Sequence, residues 1–126
     1  MKIEENEIGS EEEPYFIAEA GVNHNGNLEI AKRLIDAAAN AGADAVKFQT
    51  FSADRLVTRD AQKAEYQEVK GDEETQYEML QRYELNRDAH RRLIAYSAQQ
   101  SITFLSTPFD SESADMLADL GVPAIK

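Results

Sequence analysis

Apolar residues along the chain follow two alternating rhythms. Tyr15-Phe16-Ile17-Ala18-Glu19 is a compact run, aromatic and β-branched at its centre, and predicts a short buried strand. Gly21 to Gly26 is rich in turn formers. Asn27 is a good N-cap for a helix in which Leu28, Ala31, Leu34, Ile35 and Ala38 recur on one face, and Gly42 closes it. Ala43 to Thr50 predicts a second strand. Residues 51–72 form a long polar connection, with a short helix expected at Ala61 to Tyr66; connections of this length inside a domain are often functional. Glu73 to Tyr83 predicts a helix with Tyr77, Leu80 and Tyr83 on one side. Asn86 caps another, running to about Gln100, with Ala89, Leu93, Ile94 and Ser97 inward and His90 expected at the surface. Ile102 to Ser106 predicts a third strand. Thr107 is then expected to cap a helix that has Pro108 at its first position and Asp110 three residues after the cap. Met116, Leu117 and Leu120 form its buried face, Gly121 stops it, and Val122 to Lys126 begin a fourth strand.

The order β-α-β-α-β-α-β, with one extra helix in the second connection, implies a parallel sheet with right-handed crossovers. A doubly wound sheet and a barrel both satisfy it. The length of 126 residues fits one domain, whereas a complete (β/α)₈ barrel takes roughly 200–250 residues. The expected architecture over residues 14–126 is α/β, built of parallel β/α units. Ahead of Pro14, Glu4, Glu5, Glu7, Glu11, Glu12 and Glu13 crowd together and read as an acidic flexible tail, residues 1–13.

Net charge is −11, which argues against nucleic acid, whose phosphates are met by basic side chains. Cysteine is absent, excluding disulfides, thiolate metal ligands and a cysteine nucleophile. No run approaches the ~20 apolar residues of a membrane helix, and the acidic N-terminus lacks the basic-then-apolar pattern of a targeting segment. The expectation is a cytoplasmic protein with no membrane partner.

Polar residues gather at the carboxyl ends of the predicted strands, where parallel β/α folds bind ligands. Glu19 ends the first, Lys47, Gln49 and Thr50 the second, Ser106 and Thr107 the third, and Lys126 lies in the fourth. By strand alternation Lys47 and Gln49 share a face that a barrel turns towards its axis, while Val46 and Phe48 face the helices. Ile17 pairs in parity with Glu19, and Phe104 with Ser106. A mid-strand lysine between Val46 and Phe48 cannot snorkel, so it needs a partner or an anion. One reading is a structural pair with Glu19. The other is an anionic ligand, a phosphate or carboxylate, gripped by Lys47, Lys126 and a serine hydroxyl. Glu19 then either balances the lysines, accepts from sugar hydroxyls or takes part in proton transfer. His24, between Asn23 and Asn25, is expected to organise its loop; no second ligand at a recognisable spacing makes it a metal site. Gly21 to Gly26 lacks the spacing of a dinucleotide loop.

Taken together, these segments resemble a known family. Ile17 to Gly26 (IAEAGVNHNG) is similar to the opening motif of the sialic acid (N-acetylneuraminate) synthases, and Gly42 to Thr50 (GADAVKFQT) to the second. Lys63 to Gln67 and Phe104 to Asp110 match in order as well. The resemblance covers about residues 15–126, with Ala20 where many relatives carry isoleucine, and it implies the first half of a TIM-type (β/α)₈ barrel, strands one to four. It implies that phosphoenolpyruvate condenses through C3 with the aldehyde of an open-chain N-acetylated amino sugar such as N-acetylmannosamine, with a divalent metal, manganese or magnesium, polarising that aldehyde. It implies Lys47 and Lys126 on the phosphoenolpyruvate anion, with Gln49, Ser106 and Thr107 in the same pocket. Glu19 would meet the acceptor or the reacting centre as the catalytic group, and Tyr66 and Gln67 would form part of a lid. The family's metal-binding histidines come from later strands, so no metal ligand is assigned here and the isolated chain is expected to be inactive. Open sheet edges lead us to expect a homo-oligomer. Synthases of legionaminic or pseudaminic acid, or of a spore-coat polysaccharide, fit the same motifs. A non-catalytic flavodoxin-like domain is the remaining alternative.

Overall fold

A computed structural model of the chain describes residues 1–57 and 74–126. Its core is a parallel sheet of β3 (Ile17–Gly21), β4 (Ala45–Thr50) and β5 (Thr103–Pro108), in that spatial order. Helix α1 (Leu28–Asn40) links β3 to β4. Between β4 and β5 stand α2 (Ala53–Leu56), α3 (Gln76–Tyr83) and α4 (Arg87–Gln99), and α5 (Ser111–Asp119) follows β5. The expected helix at Ala61 to Tyr66 lies outside the described residues. No helix among the described residues is long and apolar enough to cross a membrane.

Strand order decides between the two architectures the alternation allowed. The three strands neighbour one another in chain order, and Ile125 bridges in parallel to Ser106, extending the sequence one strand further. A flavodoxin-like sheet places its first strand between the second and third; here the first parallel strand is at the edge. The flavodoxin-like alternative is therefore set aside, and the fold is of the TIM-barrel type. Packing agrees. Ala20, Val46, Phe48 and Phe104 meet Ala31, Ile35, Ala38, Leu93 and Leu117 in one apolar core between sheet and helices. The rings of Phe48 and Phe104 stack across β4 and β5 at 5.4 Å, a contact worth about 1 kcal/mol beyond the area it buries.

Local chemistry sets the helix starts. The Asn27 side chain accepts from the amides of Glu29 and Ile30, and that of Asn86 accepts from Ala89, removing orphan donors at a gain of about 1 kcal/mol per cap. Thr75 and Glu78 form a reciprocal capping box at α3. The last helix departs from expectation. Thr107 and Pro108 remain in β5, paired with Gln49 and Thr50, and the cap is Asp110, whose Oδ1 accepts from the Ser113 amide at 2.8 Å. Pairing with β4 keeps the strand extended for two more residues: the Phe109 amide donates to Thr50 O at 3.0 Å. Thr107 is thereby kept at the sheet's rim instead of being spent as a cap.

The acidic N-terminus also takes on structure. β1 (Lys2–Ile3) and β2 (Asn6–Glu7) form a small antiparallel hairpin. Ile3 is buried, and the Glu4 carboxylate accepts from Thr103 Oγ1 at 2.6 Å at the amino end of β5. Apolar burial of one isoleucine and one charge-assisted hydrogen bond hold it against the sheet, signals too sparse to stand out among six glutamates.

The loop after β3 is pinned to the end of α3. Gly26 has φ +73°, and a Cβ there would lie 2.0 Å from the Arg82 carbonyl oxygen. Both the backbone conformation and the close approach demand glycine. Gly26→Ala should cost roughly 2–4 kcal/mol through strain and overpacking; an unchanged urea midpoint would show that this approach is absent in solution.

Candidate functional site

The second face of the sheet carries the polar residues. Lys47 sits mid-strand on β4, only 8% exposed. Its Nζ is ion-paired to Glu19 Oε2, the residue opposite it on β3, and donates to Thr107 Oγ1 on β5 at 3.4 Å. The pair is lopsided: the Glu19 side chain is 54% exposed, so the cation is fixed and the carboxylate faces open space. Gln49, one alternation further along β4, pairs in register with Thr107.

A bulge gathers further groups at this rim. Glu19 pairs with Lys47 but Gly21 pairs with Phe48, leaving Ala20 as an extra residue that turns into the core. Gly21 takes φ +56°, the left-handed region that glycine tolerates. Glu19 Oε1, Gln49 Nε2 and Asn23 Nδ2 surround it, 3.6, 3.8 and 4.0 Å from where a Cβ would be. Asn23 thus joins the site, which inspection of the sequence missed; the only sign was its place two residues beyond a glycine that ends a strand. The Asn23 amide donates to Ala20 O at 3.0 Å, which fixes it over the bulge.

The structure therefore brings Glu19, Lys47, Gln49 and Thr107 together on one face. The Lys126 amide donates to Ser106 O at 3.2 Å, which ties this exposed residue to the end of β5. Ser106 does not join them. Its register partner is Phe48, so its hydroxyl points to the helices, where it is fully buried and lies 2.6 Å from Thr50 Oγ1. Parity with Phe104 is correct, and that shared face is the core side. Tyr66 and Gln67 lie outside the described residues.

His90, expected at the surface, is fully buried. Its Nδ1 meets Asn86 O at 2.9 Å and its Nε2 meets Thr50 Oγ1 at 2.8 Å. Helical spacing hid this, because the ring lies at the first turn of α4, beside the strand ends. Burial lowers its pKa, outweighing the opposing backbone hydrogen bonds. His24 is buried as well, and burial, then the nearby His90, lowers its pKa. Its Nδ1 accepts from the Gly26 amide at 2.9 Å, tying the loop together, and its ring lies against Phe48. These residues do not fit a divalent metal. No three His, Asp or Glu side chains converge among the described residues; both His90 nitrogens are engaged, and His24 offers one buried nitrogen beside a phenyl ring.

Arg55 links the rim loops after β4 and β5. Its guanidinium donates to Asp110 Oδ1 at 3.0 Å and to Ser113 Oγ at 3.3 Å. Desolvation pushes the Asp110 carboxyl up, but the hydrogen bonds from Ser113 and Arg55 outweigh it and hold the group below its usual range.

Comparison with known proteins adds the ancestry. Residues 34–126 match the NeuB family. The chain is 51% identical to N,N'-diacetyllegionaminic acid synthase of Legionella pneumophila over 94% of its length and 33% of the relative's. It is 50% identical to the enzyme of that name from Campylobacter jejuni over 88% and 34%. The crystal structure of N-acetylneuraminic acid (sialic acid) synthetase from Leptospira borgpetersenii, in complex with citrate, superimposes with a TM-score of 0.69 at 34% identity, covering 90% of this chain and 35% of that one. The chain spans about a third of the length of the relatives it matches.

Acid should weaken the fold in two windows. His24 and His90 have folded pKa values below 6.5, so the unfolded chain binds their protons more readily. Their stabilising effect is complete above that value and is lost as pH falls below it. Asp110, likewise depressed, adds a second loss below 3.8. Urea midpoints should therefore drop between pH of about 7.5 and about 5.5, and His90→Gln should shrink the drop; a midpoint flat across that range would contradict both histidine assignments.

Proposed function

The chain belongs to the NeuB family, and from that premise we propose that its polar sheet face binds phosphoenolpyruvate for condensation with an N-acetylated amino sugar. The observation that carries this reading is a fixed, nearly buried ammonium at the carboxyl rim of parallel strands, flanked by a threonine hydroxyl. Lys47, Thr107 and Lys126 hold the anion through charge-assisted hydrogen bonds, which are about twice as strong as neutral ones. Arrival of the acid gives Lys47 a second anionic partner and frees the half-exposed Glu19 carboxylate. Glu19, Gln49 and Asn23 then face the acceptor, offering an acceptor group and two carboxamides to its hydroxyl and acetamido groups.

In the proposed reaction C3 of phosphoenolpyruvate forms a bond to the aldehyde carbon, whose oxygen takes up a proton. C2 becomes cationic, water adds there, and phosphate leaves with cleavage of its C–O bond. The residues at this rim bind and orient the two partners, which accounts for the entropic part of catalysis. Glu19 is the catalytic candidate, as the one carboxylate among the described residues that pairs with Lys47 at this rim. Any metal contribution lies beyond what the described side chains supply.

The acceptor has two readings. The likeness to a sialic acid synthetase favours an N-acetylmannosamine-like sugar. The higher identity to two N,N'-diacetyllegionaminic acid synthases favours a sugar carrying two acetamido groups. We further propose self-association, because among the described residues the outer edge of β3 has no pairing strand and Phe16 and Ile17 beside it are 64% and 45% exposed; light scattering that finds only monomer at high concentration would count against it.

Calorimetry with phosphoenolpyruvate tests the site. Lys47→Ala should weaken binding by about tenfold or more, the scale of one lost charge-assisted contact. Glu19→Gln should bind the acid as well as or better than the parent, since a competing carboxylate is gone. Equal affinity in Lys47→Ala and the parent would remove the proposed anion site.

A further inference from the structure

We infer that His90, Thr50 and Ser106 are positioning residues for the anion site, acting from the opposite side of the sheet. The inference rests on the reading of the Lys47 face as that site. The three side chains form one continuous hydrogen-bonded row beneath the rim: His90 Nε2 to Thr50 Oγ1 at 2.8 Å, and Thr50 Oγ1 to Ser106 Oγ at 2.6 Å. All three are at most 1% exposed.

The direction of the row is dictated from one end. The Asn86 carbonyl can only accept, so the proton on His90 is at Nδ1, 2.9 Å away. Nε2 is then an acceptor and takes the Thr50 hydroxyl proton. The Thr50 oxygen in turn accepts from Ser106. Each hydroxyl has one orientation, and each is fixed by its neighbour.

What the row holds is the point where site residues leave the sheet. Thr50 follows Gln49 on β4, and Ser106 precedes Thr107 on β5; Gln49 and Thr107 are register partners on the ligand side. The Ser106 carbonyl also carries the amide of Lys126. A bond between Thr50 and Ser106 therefore ties the last turns of β4 and β5 behind the site. It sets the spacing of Gln49 and Thr107, and the start of the segment that bears Lys126. An apolar filling of the same shape would serve the core about as well, since paired buried polar groups add little net stability over isosteric apolar ones. It would not define the lateral position of the strand ends to the few tenths of an ångström that anion ligands require.

Thr50→Val keeps the β-branched shape and deletes the hydroxyl that both neighbours use. Binding of phosphoenolpyruvate and of inorganic phosphate to the purified chain is measured beside urea stability for Thr50→Val, Ser106→Ala, their double variant and Thr50→Ser. Lys47→Ala serves as the site control, and Ala38→Gly, on α1 away from the row, as a purely destabilising one. Thr50→Val and Ser106→Ala should each lose about tenfold in affinity for phosphoenolpyruvate, the scale seen when a residue that orients a ligand group is removed. The double variant should lose no more than the worse single, Thr50→Ser should recover parental affinity, and Ala38→Gly should lose stability without affinity. Ring nitrogen spectra of the parent should show His90 protonated at Nδ1. Parental affinity in Thr50→Val, alongside loss in Lys47→Ala, overturns the inference and leaves the anion site standing. Parental affinity in Lys47→Ala overturns the site itself. Should Thr50→Val fail to fold, Ser106→Ala decides in the same way, and His90 protonated at Nε2 overturns the row in any background.

Discussion

An ammonium held in the middle of a buried strand constrains this molecule more than any other single feature. Lys47 cannot reach water along its own strand because Val46 and Phe48 are packed under the helices. Removing such a charge from water costs several kcal/mol unless oxygen atoms surround it. The oxygens come from both sides, Glu19 on β3 and Thr107 on β5. One side chain thus couples the register of three strands to the chemistry of one face. A slip of a single residue on β4 would put Phe48 among the polar groups and Lys47 in the aromatic core.

The division of labour between the two faces follows from that alternation. On the helix side, Val46, Phe48 and Phe104 supply the apolar area that holds sheet and helices together. On the other, Glu19, Lys47, Gln49 and Thr107 collect where the strands end. The bulge at Ala20 sharpens the separation. By absorbing one residue it sends Ala20 to the core and lets Gly21 pass close to three polar side chains. Any larger residue at Gly21 would meet both the left-handed backbone and those groups.

Near the rim the apolar core gives way to hydrogen bonds. His24 ties its own loop, His90 reaches Thr50 and Ser106, and Arg55 joins the loop after β4 to the cap of α5. Loops are the least packed parts of a β/α unit, and polar links of defined geometry hold positions there that hydrophobic contact leaves loose. The same links carry a cost, since groups held neutral or ionised by burial and bonding respond to acid.

Period and punctuation along the chain were enough to locate the strands and most helices, because alternation and three-four spacing are properties of neighbouring residues. They also marked Lys47, Gln49 and Glu19 as facing away from the core, since parity within one strand is local. Four motifs in order supplied the family. Which strands neighbour each other, and hence barrel rather than doubly wound sheet, was decided only by tertiary pairing, as both obey the same local pattern. So was the assignment of Ser106: its parity with Phe104 was legible, but which side of β5 meets the helices depends on its register with β4. Asp110 rather than Thr107 became the helix cap because β4 offered Pro108 and Phe109 a partner, and His90 entered the core because Thr50 and the Asn86 carbonyl were there to receive its two nitrogens. Each of these turns on contacts between residues far apart in the chain, whose free energy no local pattern contains.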